Sequence, residues 1–159
     1  MSNLTDYFTE KNLNTGISIF VLVTFIFYIL TNFFYPEYSG FYGYADIQFL
    51  FGAILGGFFT LKYRKPEQSI LKYGIFTGLG GGFMSSVFIS LYITVPVFIM
   101  TGPNIIFYLL WLVYISLSGI VIGVITGALL GAYYMYKEMR GENEEEGIDD
   151  DFYKHLAEK

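Results

Sequence analysis

At 159 residues the chain offers one domain and no more. A hydrophobic share of 54%, a mean hydropathy of +0.51 and a charged share of only 14% exclude an ordinary water-soluble fold, where roughly a quarter of residues are charged. The net charge of −5 hides a division: residues 142–159 hold eight carboxylates against two lysines and 1–141 sum to +1, so no basic patch supports nucleic-acid binding.

Residues 1–15 read as a cytoplasmic segment. They carry Asp6, Glu10 and Lys11 and lack the basic start and short apolar stretch of a signal peptide. Leu4, Tyr7 and Phe8 would share one face of a short interfacial helix, and a frayed end is the alternative. Residues 16–136 then hold four apolar segments, 16–34, 44–61, 70–100 and 105–136. Each is predicted to be a membrane-crossing helix, since a hydrocarbon core takes about 20 apolar residues. The last two exceed a core of ~30 Å at ~1.5 Å rise per residue, so they must tilt, bend or project. Pro96 predicts a kink or early end in the third, with hydroxyls such as that of Thr94 placed to recover freed carbonyls. Residues 137–159 form an acidic cytoplasmic tail.

Within these segments small residues recur every fourth position. Gly52, Gly56 and Thr60 form one stripe, Gly74, Gly78, Gly82, Ser86, Ser90 and Thr94 a second, and Gly119, Gly123, Gly127 and Gly131 a third. Four residues is close to one helical turn, so each stripe is a shallow groove along one helix face. In lipid, where leucine gains nothing by leaving the solvent, such grooves bring helices together through close van der Waals contact. The expected fold is an all-α bundle of four spans packed through these glycines. The third and fourth segments, joined by a very short loop, must be antiparallel neighbours. Gly78, Gly80, Gly81 and Gly82 leave a bare patch where a bend is expected.

Charge sets the orientation. Lys62, Arg64, Lys65 and Lys72 flank the second loop, Lys137 and Arg140 follow the fourth segment, and the loops 35–43 and 101–104 have no lysine or arginine. The positive-inside rule places both termini in the cytoplasm, with expected residence in the plasma membrane of a prokaryote. Aromatic residues crowd both borders, as interfacial belts do. The interval from Pro36 to Gly52 equals that from Pro103 to Gly119, a pattern consistent with a duplicated hairpin.

Chemistry is sparse. Without cysteine there is no thiolate nucleophile or thiolate metal site, and His155, in the tail, has no metal partner at ligand spacing. No ionisable residue sits mid-segment, which disfavours proton-coupled transport. The glycines around Gly80 lack the Lys-Ser/Thr of a phosphate loop. No cofactor or metal and no enzymatic activity is expected. Ser85, Ser86, Ser90 and Thr94, beside Ser116 and Ser118, are the densest polar cluster, and Ser86, Ser90, Thr94 and Ser116 would line any conduit. Gln48 and Asn32 would meet near Asp46 at the outer surface. The tail is read as a solvated acidic run ending in an amphipathic Phe152, Tyr153 and Leu156, able to dock on a partner.

In size, span count and glycine stripes, residues 16–136 resemble the small glycine-rich four-span membrane proteins of archaea and bacteria. The chain is similar in size to small fluoride channels and small multidrug transporters. It lacks the intramembrane glutamate of the latter and the polar motifs of the former, so no site residue is carried over. The leading expectation is a non-enzymatic scaffold or accessory subunit in membrane lipid. It would assemble with copies of itself or another membrane subunit through its small-residue faces and contact a cytoplasmic partner by its tail. The alternative is a small channel or permease for a neutral or weakly polar solute, with a pore between protomers or between the third and fourth spans. A membrane-embedded lipid enzyme ranks third.

Overall fold

A computed structural model describes residues 11–34 and 46–146 of the chain, and every regular element among them is an α-helix. These are α1 (Asn12–Phe34), α2 (Asp46–Lys62), α3 (Ile70–Thr101) and α4 (Ile105–Glu146). The expected interfacial helix of Leu4, Tyr7 and Phe8, the whole of the loop 35–43 with its aromatic cluster, and the tail beyond residue 146 fall outside the described residues, whereas residues 12–15 already belong to α1.

Three helices are long and apolar enough to cross a membrane, over Asn12–Phe34, Ile70–Thr101 and Ile105–Arg140. α2 is the shortest at 17 residues, bounded by Asp46 and Lys62. At ~1.5 Å per residue it is about 26 Å long, just under the ~30 Å hydrocarbon core. α4 runs past Tyr136 because Lys137, Glu138, Met139 and Arg140 are all good helix formers.

α3 does not end at Pro96 but continues to Thr101. Proline there removes the helical donor to the Tyr92 carbonyl. The Thr94 hydroxyl does not recover that carbonyl; it donates to the oxygen of Ser90 at 2.7 Å. Tyr92 and Pro96 both lie on the exposed face, so the ring displaces no neighbouring helix. The helix stops at Gly102, whose φ of 86° is the only positive value among described residues and whose N–H donates to Phe98 O at 2.9 Å. After Pro103, the Asn104 side chain accepts from the Phe107 N–H at 3.1 Å and caps α4.

α1 and α3 run parallel: Ile17 and Phe20 lie beside Gly80 and Gly81, and Phe25 and Tyr28 beside Phe88 and Tyr92. α2 and α4 run parallel in the opposite sense, with Phe49 against Gly119 and Phe58 near Tyr134. All helix pairs touch except α1 and α4. The bundle is therefore a rhombus with α2 and α3 across its short diagonal, so side chains, not a lumen, occupy the axis. There Thr77 donates to Thr60 at 2.9 Å.

The α3–α4 seam is backbone on backbone. A methyl group built on Gly74, Gly78 or Gly82 runs into the carbonyl of Gly127, Gly123 or Gly119, and one built on Gly123 or Gly127 runs into Gly78 or Gly74. Gly131 ends the row, with such a methyl 3.1 Å from the Cα of Leu71. Three successive steps of one stripe thus meet three of the other. Gly52 and Gly56 behave differently, because they face the ring and backbone of Phe20, together with Thr24 and Gly16. Phe20, fully buried, also covers Gly81, so one ring fills the junction of α1, α2 and α3.

The bare patch at Gly78–Gly82 lies within unbroken helix: Gly78 and Gly82 meet α4, and Gly80 and Gly81 meet α1. Gly52 and Gly119, which correspond at the interval linking Pro36 to Pro103, have different surroundings, Phe20 and Thr24 for the first and Gly82, Ser86 and Phe49 for the second.

Candidate functional site

All seven described cations, Lys11, Lys62, Arg64, Lys65, Lys72, Lys137 and Arg140, gather at one end of the bundle. Here a side-chain network ties every helix to the α2–α3 loop. Arg64 pairs with Glu138 of α4 and donates to the carbonyls of Lys65 at 3.2 Å and Gln68 at 3.1 Å. The Gln68 side-chain oxygen accepts from the Lys65 N–H at 3.0 Å and from Asn12 Nδ2 at 2.7 Å. Asn12, buried at the start of α1, also reaches the Thr60 carbonyl at 3.3 Å. Thr60 in turn donates to Gly56 O at 3.0 Å and accepts from Thr77.

The acceptors in this clasp are carbonyl, amide, hydroxyl and carboxylate oxygens, and together they hold the helix ends to the loop. Asn12, Gln68 and Glu138 were not legible as functional in the sequence. The one available signal was Glu138, the sole acid between Glu67 and Glu142. Beside the clasp opens a cleft of about 650 Å³, lined by Phe58, Leu61 and Pro66, by Lys62, Tyr134 and Lys137, and by the Arg64–Glu138 pair itself.

A second polar layer lies toward the opposite end. Ser86, Ser90 and Thr94 are fully buried and Ser116 nearly so. The Ser86 hydroxyl faces the carbonyls of Gly82 at 2.6 Å and Ile115 at 3.2 Å, bridging α3 to α4. Among the described residues, the hydroxyl oxygens of Thr24, Ser85, Ser90 and Ser116 and the Oε1 of Gln48 have no hydrogen-bond partner. Each of the four helices contributes at least one. Gln48 Nε2 donates to Thr31 at 3.2 Å, whereas Asn32 donates to its own helix at Tyr28 O, 2.9 Å, and Ser118 bonds Asp46. Gln48 and Asn32 therefore do not meet beside Asp46, and Ser118 stands apart from the buried serines, because each shorter side chain finds a nearer acceptor.

Among the described residues no three His, Cys, Asp or Glu side chains gather around a common point where a metal would sit. His155 lies outside the described residues. Compared with protein-family models, curated proteins and solved structures, the chain matches none.

Proposed function

We propose that the chain is a non-enzymatic integral membrane protein with four spans and both termini cytoplasmic, acting as a scaffold or accessory subunit in a prokaryotic plasma membrane. The gathering of its cations at one end supports the orientation. The length of α2, at the lower end of the ~17–25 residues of membrane helices, is compatible with a fourth span.

One observation carries the scaffold reading. α4 is a single helix from Ile105 to Glu146, so the acidic segment starting at Glu142 leaves the bundle on a helical stem. The Arg64–Glu138 pair grips that stem where it emerges. A partner with a basic surface, bound to the segment, would be held at a set angle to the membrane. Contacts with a second copy or another subunit would use the outer face of α4, where Leu110, Leu117, Ile125 and Leu129 are exposed, because the stripe glycines are buried within one chain.

The test is purification of the full chain and of a form lacking 142–159 in mild detergent, with mass measurement and identification of bound proteins. Loss of a basic partner with unchanged bundle melting is expected. Retention of the partner by the shortened form would overturn tail docking.

The five partnerless buried oxygens favour a second reading, a channel or permease for a neutral or weakly polar solute. Between α3 and α4 the backbones touch, which turns that conduit toward Ser90 and Ser116 and the α2 side of the bundle, or to an interface between protomers. Flux of a neutral solute such as urea into liposomes, abolished by Ser86→Leu with Ser90→Leu, would support it. Flux no faster than in protein-free vesicles would sink it.

A further inference from the structure

We propose that the cleft between the ends of α2 and α4 is a binding site for an anionic phospholipid, its phosphate held by Lys62 and Lys137 and an acyl chain laid over Phe58. This rests on the membrane orientation proposed above, which puts the cleft at the inner border of the bilayer.

Three observations converge on that ligand. The first is unspent positive charge. Arg64 is committed to Glu138 and two loop carbonyls, with its side chain only 11% exposed. Among the described residues, neither Lys62 nor Lys137 has a carboxylate partner. Lys62 Nζ instead stands 5.9 Å from the Phe58 ring and 5.6 Å from the Tyr63 ring, held over aromatic faces. The second is the two-sided lining. Lys62, Lys137 and Tyr134, with the mutually paired Arg64 and Glu138, line the cleft beside Phe58 and Leu61, a net positive and partly apolar lining that matches a charged headgroup joined to an acyl chain and suits a free anion poorly. The third is continuity with the lipid-facing surface. Phe58 is about half exposed on the outer side of α2, 6.3 Å from the Tyr134 ring, so the floor runs out into the zone where acyl chains lie. Tyrosine at this depth also suits the border between headgroups and tails.

The first acid of the tail, Glu142, is placed by the helix about 7.5 Å along the axis beyond Lys137, at ~1.5 Å per residue, and the Glu138 carboxylate at the cleft is paired with Arg64.

Native mass spectrometry of the full chain in mild detergent tests the proposal, using phosphatidylglycerol and phosphatidylcholine with identical acyl chains. One phosphatidylglycerol is expected to be retained in preference to phosphatidylcholine. Lys62→Gln with Lys137→Gln should weaken retention roughly thirtyfold, and each single change roughly fivefold. Lys72→Gln, at the same end outside the cleft, should leave it unchanged. Equal retention of the two lipids overturns the proposal, as does an unaltered double variant or an equal loss from Lys72→Gln. Displacement by millimolar inorganic phosphate would show a phosphate site and overturn the lipid. Circular dichroism of each variant confirms that the bundle persists. Labelling of Lys62 from either side of sealed vesicles reports orientation separately, so a wrong orientation and an absent lipid site give different results.

Discussion

The two hairpins use the same four-residue spacing of small residues to opposite effect. In α3–α4 a stripe faces a stripe, and the backbones meet at Gly74–Gly127, Gly78–Gly123 and Gly82–Gly119. In α1–α2 the stripe faces a row of unlike residues, Gly16, Phe20 and Thr24, and Phe20 enters the groove that Gly52 and Gly56 leave. A groove thus fixes how near a neighbour can come, and the opposing residue decides whether backbone or ring takes the space. The two contacts also fail differently. Backbone cannot rotate aside, whereas a side chain can.

The seam should therefore be the most fragile feature. Gly123→Ile drives a branched side chain into the Gly78 carbonyl, and the expected result is loss of the folded bundle, at a cost above about 4 kcal/mol. Denaturation of the variant in detergent, followed by circular dichroism, measures this. A near-normal melt would show that the seam opens easily and that the contrast is false.

Next in size is Phe20→Ala, which empties the junction of three helices and is expected to cost about 3 kcal/mol without changing helix content. The same melt reads it. A loss equal to that of Gly123→Ile would place ring and backbone contacts on one footing.

Glu138→Gln removes the carboxylate that Arg64 grips, on a residue half exposed to solvent. The expected loss is below about 1 kcal/mol and should shrink as salt is raised. A salt-independent loss would mean that packing rather than charge holds the stem.

Gly57→Ala should change least. The added methyl meets only Leu130 Cδ1, at 2.8 Å, the far end of a flexible side chain. Alanine's advantage in a helix interior, about 1 kcal/mol over glycine, offsets the shift, and the melt should move little. Strong destabilisation there would show that side chains in this bundle yield no more than backbone does.

Much of the architecture was legible along the chain. Apolar segments, segregated charge and the short 102–104 connection located the helices and the antiparallel α3–α4 pair. Of the two outcomes expected at Pro96, the early end does not occur, because a proline on an outward face deprives one carbonyl of its donor and leaves the helix free to continue to Thr101. The polar site was harder to read. Ser86, Ser90, Thr94 and Ser116 were visible as a cluster, but not that Ser86 bridges two helices while Ser90 and Ser116 lack partners. Apart from the isolated acid Glu138, nothing along the chain joined Asn12, Arg64, Gln68 and Glu138 into a clasp, since its members lie up to 126 positions apart and none belongs to a periodic pattern.

By itself, the order of residues determined helicity, the apolar character of the segments and which faces were bare, because spacing along a helix converts directly into a face. Only the tertiary structure decided what each face meets: that α3 receives both α4 and Phe20, that α2 and α3 share the axis, and that Arg64 takes Glu138. Dispersion between apolar surfaces carries no label for its partner, so the choice depends on the shape of everything else packed at the same level.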